Sequence, residues 1–260
     1  MTSAPPKPGR LLYHISRRAI SPRPALRALG AAVLLVLAPA GASASTLAEV
    51  LGAVATNARF PAPARADVHF ERRWGDTTTS TAGVLAARGR TVYLEVEGGT
   101  RALIRPGRIA IAGPRGPRLA ELGTQLPGTD LLLEELAPFA SDRLTTPQIS
   151  DEGPLGIVVT AAPAPPSAYV LLVLTIQEEH GTVTRTQYYR DSISELVKIR
   201  RESGYTQVDG RWRPTDVTVE NFRDKSSTRL SLVWQAAPTI PAALFTPAGL
   251  RGPRLLGEQH

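Results

Sequence analysis

The sequence predicts a mainly β protein with a few helices, its strands joined as an antiparallel meander. Three observations carry this. From Asp67 onward apolar and polar residues alternate with period two, the spacing of a half-buried strand. Breaks at Gly89, Gly98-Gly99, Gly107 and Gly113 punctuate the alternation and leave no room for crossover helices. The main helical periodicity comes earlier, between Ser45 and Phe60.

The chain begins with a leader. Residues 1–44 hold Lys7, Arg10, Arg17, Arg18, Arg23 and Arg27 and no acid, then the apolar run Ala28 to Ala38, a Pro-Ala-Gly break, and Ala42-Ser43-Ala44. This is the n-region, h-region and small-x-small site of an export signal, with cleavage after Ala44. The apolar run is shorter than the roughly 20 residues needed to span a bilayer. Ser16-Arg17-Arg18 resembles a twin-arginine signal, although it lies well before the apolar run; general secretion fits better. The expected compartment is the periplasm or the cell exterior.

The leader also explains the charge. The whole chain carries +7, but six of its 30 basic residues lie in 1–44, and the remaining 24 face 23 acids. A mature chain near +1 has no phosphate-binding face, so nucleic acid is not an expected partner. Cysteine is absent. That excludes a lipid-anchoring cysteine after the signal, disulfides, thiolate metal sites and cysteine nucleophiles. An ordinary hydrophobic core must hold the exported chain together, and 42% hydrophobic residues in 260 suffice for one.

After the leader, Ser45 or Thr46 can cap a helix with Glu49 in its first turn, and Leu47, Val50, Leu51 and Val54 form one apolar stripe. The strands follow. Val68 and Phe70 share a face, as do Val92, Leu94 and Val96. A second short helix is predicted at Gly128 to Phe139, capped by Thr129 or Asp130, carrying Leu131, Leu132 and Leu136 and restricted by Pro138. Ala161 to Ala168, rich in Ala and Pro, reads as a surface connection.

The strand Tyr169 to Ile176 is apolar on both parities, with Val170, Leu172, Leu174 and Ile176 on one and Tyr169, Leu171 and Val173 on the other. Such a strand needs cover on both faces. Either it lies centrally under a helix, or a curved sheet holds an apolar ligand on its concave side. Asp209-Gly210 signals a two-residue hairpin turn, which places Pro214 at an edge or bulge and Trp212 in cross-strand aromatic contact. The next strand aligns Leu230, Leu232 and Trp234 on one face, giving a sheet wet on the other.

Signatures of catalysis are missing: no G-x-S-x-G, no G-x-G-x-x-G and no phosphate loop. His69 and His180 read as single surface or partly buried histidines on strands, and Glu134-Glu135 and Glu178-Glu179 as solvated charge. Arg72-Arg73 and Arg200-Arg201 divide between two faces of a strand and concentrate no anion site.

The C-terminal half resembles the outer-membrane lipoprotein-sorting protein family, relatives of the Lol periplasmic lipoprotein carrier. The marks are Tyr188-Tyr189 with Asp191, Val208-Asp209-Gly210 with Trp212 and Pro214-Thr215, Thr228, and Leu244-Phe245-Thr246-Pro247 with Leu250. Gly128-Thr129-Asp130 with Glu134, Glu135 and Leu136 resembles the acidic segment these proteins carry midway, except that Leu131 to Leu133 replace the aromatics expected there. The match covers about residues 128–250.

The resemblance implies one unclosed antiparallel β-barrel over residues 45–250, with a helical lid enclosing an apolar cavity and a C-terminal tail at 251–260. It further implies a monomeric, non-enzymatic periplasmic carrier without cofactor or metal, binding lipoprotein acyl chains or another lipid. An inner-membrane transporter and an outer-membrane acceptor would be its partners. The cavity lining expected is Val170, Leu172, Leu174, Ile176, Leu230, Leu232, Trp234, Leu131, Leu132 and Leu136. The alternative within the same fold is an envelope sensor or adaptor acting with a membrane transporter or regulator.

Overall fold

The structure is a computed structural model, described for residues 45–235, 239–252 and 254–256. The leader and its cleavage site lie outside the described residues. Helix α1 (Leu47–Ala58) starts on the expected cap: the Thr46 hydroxyl accepts from the Glu49 N–H, and the Glu49 carboxylate accepts from the Thr46 N–H at 2.8 Å. These bonds hold the Glu49 carboxyl below its usual range. Its buried stripe is Val50, Leu51 and Val54.

Among the described residues, thirteen strands follow in one sheet: β1 (Phe60–Trp74), β2 (Thr77–Gly89), β3 (Thr91–Val96), β4 (Thr100–Arg105), β5 (Arg108–Ile111), β6 (Arg118–Ala120), β7 (Leu144–Gly153), β8 (Gly156–Pro163), β9 (Leu171–Gln177), β10 (Thr182–Tyr189), β11 (Leu196–Val208), β12 (Arg211–Asn221) and β13 (Ser226–Gln235). Their order is β6-β5-β4-β3-β2-β1-β13-β12-β11-β10-β9-β8-β7. Every neighbouring pair is antiparallel, and the first strand meets the last at the centre. β6 and β7 are the edges, so the sheet is unclosed.

One face carries the main core. Phe60, Ala66, Val68 and Phe70 of β1 pack with Leu85 of β2, Leu94 of β3, Val217 and Val219 of β12 and Leu230 and Leu232 of β13. Gly83 belongs to this contact: a Cβ there would lie 2.9 Å from the Glu95 carbonyl oxygen and 3.2 Å from the Phe70 ring. α1 lies on the same face at the other wing, its stripe against Ile157, Val159, Leu174 and Ile176.

The opposite face is dry over part of its width, contrary to the expectation of a wet side. Two 3₁₀ turns, Ala242–Phe245 and Pro247–Leu250, lay Leu244, Phe245 and Leu250 over Ala86, Tyr93 and Leu103. Glu95 is buried with them, accepting from the Leu255 N–H at 2.7 Å and from the Tyr93 hydroxyl at 3.2 Å. The Leu-Phe-Thr-Pro motif is therefore the cover of the convex face, and residues 254–255 continue it.

Other expectations change in detail. The mid-chain helix is a single 3₁₀ turn, Leu133–Leu136, and neither Thr129 nor Asp130 caps it. Asp130 is instead bonded to the sheet. β8 runs through Pro163, so only the remainder of the Ala-Pro stretch is a connection. The hairpin stands as expected, with Asp209 at φ 50° and Gly210 at φ 68°. Pro214 lies on an interior strand, but the β12–β13 ladder begins only at Asp216, so its missing N–H disrupts no ladder bond there. His69 is exposed on β1, whereas His180 sits in the β9–β10 turn and tilts against Trp212 at 4.3 Å between ring centroids. That histidine contact replaces the cross-strand aromatic pair.

Candidate functional site: a cavity on the concave face

The concave face surrounds a cavity of about 320 Å³. One wall is apolar: Phe60, Val68 and Phe70 of β1, Leu85 of β2, Leu94 of β3, and Leu230, Leu232 and Trp234 of β13. Trp234 is fixed by stacking at 5.8 Å on Phe60 and by donating its indole N–H to the Pro214 carbonyl at 2.9 Å. The facing wall comes from β9 (Leu172, Leu174), β10 (Thr182, Thr186, Tyr188) and β11 (Arg200, Glu202, Tyr205). Residues from strands this far apart in the sheet order line one space because the sheet curves round it.

Two segments cross the open side. The first is α1, whose C-terminal carbonyls of Asn57 and Arg59 accept from the Arg213 guanidinium, with the Arg59 bond at 2.6 Å. The same guanidinium lies 3.9 Å from the centre of the Phe60 ring. Burial lowers it to about 10.

The second is residues 121–143, which connect the edge strands β6 and β7. Two acids pin it inside the sheet. Asp130, fully buried, accepts from the Ser226 hydroxyl at 2.6 Å, the Thr228 hydroxyl at 2.9 Å and Asn221 at 3.3 Å, and pairs with Arg72 at 3.2 Å. Glu135 pairs with Lys198 at 3.0 Å, accepts from the Leu132 N–H at 3.0 Å and receives the Tyr169 hydroxyl. Reading Glu134-Glu135 as solvated charge is thereby corrected: a buried carboxylate needs a partner, and Lys198 supplies it. Glu134 accepts from the Ala168 N–H and the Ser167 hydroxyl, while burial pushes its carboxyl up.

The expected lining residues divide. Leu172, Leu174, Leu230, Leu232, Trp234 and Leu136 line the cavity. Ile176 packs under α1, Leu131 is in the main core, and Leu132 packs with Tyr169 and Tyr188. Val170 is corrected outright. It precedes β9 and is 42% exposed, because the chain enters the strand at Leu171, and Tyr169 is the buried residue that lines the cavity.

The polar wall was not anticipated. Lys198, Arg200 and Glu202 alternate on β11 and therefore share a face. Inspecting neighbours such as Arg200-Arg201 hides this; reading every second residue of Lys198 to Glu202 exposes it. Among the described residues no cluster of His, Cys, Asp and Glu could hold a metal, and no helix is long and apolar enough to cross a membrane.

Comparison with known proteins adds the family. A family model described only as uncharacterized-protein-like matches residues 118–252, more than half of the chain. No curated protein matches in sequence. Among solved structures, a domain described as an outer membrane lipoprotein-sorting protein from Vibrio parahaemolyticus superposes with a TM-score of 0.69 at 13% identity, covering 78% of this chain and 97% of its own. A LolA superfamily protein from Nitrosomonas europaea gives 0.65 at 16%, covering 78% and 98%. A DUF1329 family protein from Desulfovibrio piger gives 0.66 at 16%, covering 78% and 97%. The chain belongs to the uncharacterized-protein-like family of that model, and its fold is the LolA-like fold of the outer-membrane lipoprotein-sorting proteins.

Proposed function

We propose that the protein is a non-enzymatic periplasmic carrier that takes an acyl chain, from a lipoprotein or another lipid, into the concave cavity and moves it towards the outer membrane. The observation that carries this reading is the continuous apolar wall from Phe60 to Trp234 around a space of about 320 Å³, a volume within the roughly 300–1,000 Å³ of ligand pockets. Each methylene transferred into it contributes about 0.8 kcal/mol, so a long chain binds without specific polar contacts. α1 and residues 121–143 act as the lid, and release requires one of them to move. The export signal read at residues 1–44 supplies the compartment, and the LolA-like fold agrees with the cargo class.

Native mass spectrometry of the protein purified from the envelope tests this. We expect a bound mass matching an acyl lipid. An empty protein that also fails to take up a fluorescent acyl ester would replace the carrier by the adaptor.

A further inference from the structure

The cavity is amphipathic, and its polar side is charge-balanced. Arg200 stands opposite Val219 and Glu202 opposite Val217 in the β11–β12 register, and both valines belong to the concave core. The two charged side chains therefore project to the concave face. They pair at 2.7 Å, yet each side chain keeps 17% of its surface exposed, and both line the cavity. Thr186 stands beside Arg200 on β10, and Tyr188 follows on the same face. One Arg200 Nη also donates to the Glu135 carbonyl and the other meets Glu202; each Nη carries two N–H donors, so both keep one beyond these bonds. Opposite this strip, Val68, Phe70, Leu94 and Leu230 offer only carbon.

A ligand made only of hydrocarbon would strip water from the exposed part of the Arg200–Glu202 pair and return no hydrogen bond. A carboxylate head would meet Glu202 and be repelled. An uncharged carbonyl does neither: it accepts from Arg200 and leaves the ion pair in place. We propose that the cavity selects acyl ligands carrying an ester or amide carbonyl along the chain, and that Arg200, held by Glu202, is the residue that reads this carbonyl. The proposal rests on the carrier reading above. An esterified glycerolipid and the acylated terminus of a lipoprotein share this chemistry.

The test is displacement of a bound fluorescent acyl probe by an alkane, its methyl ester and its free carboxylate, all of one short chain length. In the wild-type protein the ester should displace at about tenfold lower concentration than the alkane, the effect of roughly one net hydrogen bond. The Arg200→Met/Glu202→Met double variant should abolish that gap, because the ester loses its donor and the alkane no longer covers a charged pair and displaces at least as well as before; retained binding of the probe reports that the cavity is intact. Glu202→Gln, a milder change, should let the free carboxylate compete as well as the ester. Equal displacement by ester and alkane in the wild type, or a gap that survives in the double variant, overturns the proposal while the bound probe leaves the carrier reading standing. A wild-type protein that binds no probe removes both. Diacylglycerol and a diacylated lipopeptide then serve as the two source arms: preference for one assigns the cargo, and displacement by neither overturns the carbonyl site.

Discussion

Asn57 and Trp212 bond each other in both directions. The Asn57 side-chain amide donates to the Trp212 carbonyl at 3.2 Å, and the Trp212 N–H donates back to Asn57 Oδ1 at 3.0 Å. The pair joins the last turn of α1 to the start of β12, just past the Asp209-Gly210 turn. It fixes the helix over the cavity by backbone groups that the sheet leaves unused. Asn57→Ala strips both partners from part-buried groups. A loss of about 1–3 kcal/mol is expected in urea melts, and faster hydrogen exchange should be confined to α1. Uniform loss of protection would show that α1 is no separate lid.

The larger effect should come from Asp130. Its carboxylate gathers Ser226, Thr228, Asn221 and Arg72 in a place without water access. Asp130→Ala removes the shared acceptor of four polar partners, of which Asn221 keeps Asp224 and Arg72 keeps the Ser226 hydroxyl, and truncating one member of a buried pair costs on the order of 3–5 kcal/mol. Arg72 is a quarter exposed and can re-solvate, which favours the lower end of that range. Denaturant titration beside Asp142→Ala, whose exposed pair with Arg90 should contribute little, measures the contrast.

At the hairpin, Gly210→Val places a β-branched side chain at φ 68°. No atom lies within 4 Å of the added Cβ, so the penalty is conformational rather than steric. It should be about 1–3 kcal/mol. An unchanged denaturation midpoint would mean that the turn rearranges freely.

Much of this architecture was legible in the residues. Period-two alternation placed Val68, Phe70, Leu230 and Leu232 on the core face, because one side of the sheet at those strands meets water and the other does not. The Thr46 cap and the Asp209-Gly210 turn are local and were read from a few residues. What escaped depends on partners remote in sequence. Tyr93 and Glu95 break the alternation of β3 because residues some 150 positions later cover them. Asp130 read as a helix cap and Glu135 as solvated charge because their partners, Thr228 and Lys198, lie in strands much later in the sequence. Val170 continued the parity of its neighbours but sits before the strand begins.

Alkaline titration should reveal the buried phenols. Burial and the neighbouring Glu95 carboxylate push Tyr93 up to about 12, while burial, foremost, raises Tyr169, Tyr188 and Tyr205 further. An unfolded tyrosine ionises near about 10. Each raised phenol therefore contributes stability that is intact below about pH 10 and is lost as pH rises through its folded value. Tyrosinate absorbance should show these four silent just above pH 10 and then ionising together with unfolding. Tyr93→Phe should lessen the fall in stability between about pH 10 and 12. Smooth ionisation of all tyrosines near pH 10 in the folded protein would contradict the burial described.

The cavity itself can be tested by filling it. A charge at Leu174 would be ambiguous, since Leu174 also packs against α1 and its loss would loosen the helix. Leu172 is the better position. It is half-buried, lines the cavity, and lies in register with Tyr188 and Ala161 rather than under the helix stripe alone. Leu172→Trp adds apolar volume where space already exists, so the overpacking cost should stay at or below the usual 1–3 kcal/mol. An acyl chain would then find its path along β9 occupied. Affinity for a fluorescent acyl ester should fall about tenfold or more, equivalent to at least about 1.4 kcal/mol. Val233→Asp is the matched control: Val233 is 66% exposed on the convex face and does not line the cavity, so binding there should hold. If Leu172→Trp folds as stably as the parent and still binds the chain fully, the ligand lies elsewhere. Equal losses from Leu172→Trp and Val233→Asp would place the binding surface on both faces of the sheet, which a single enclosed chain cannot explain.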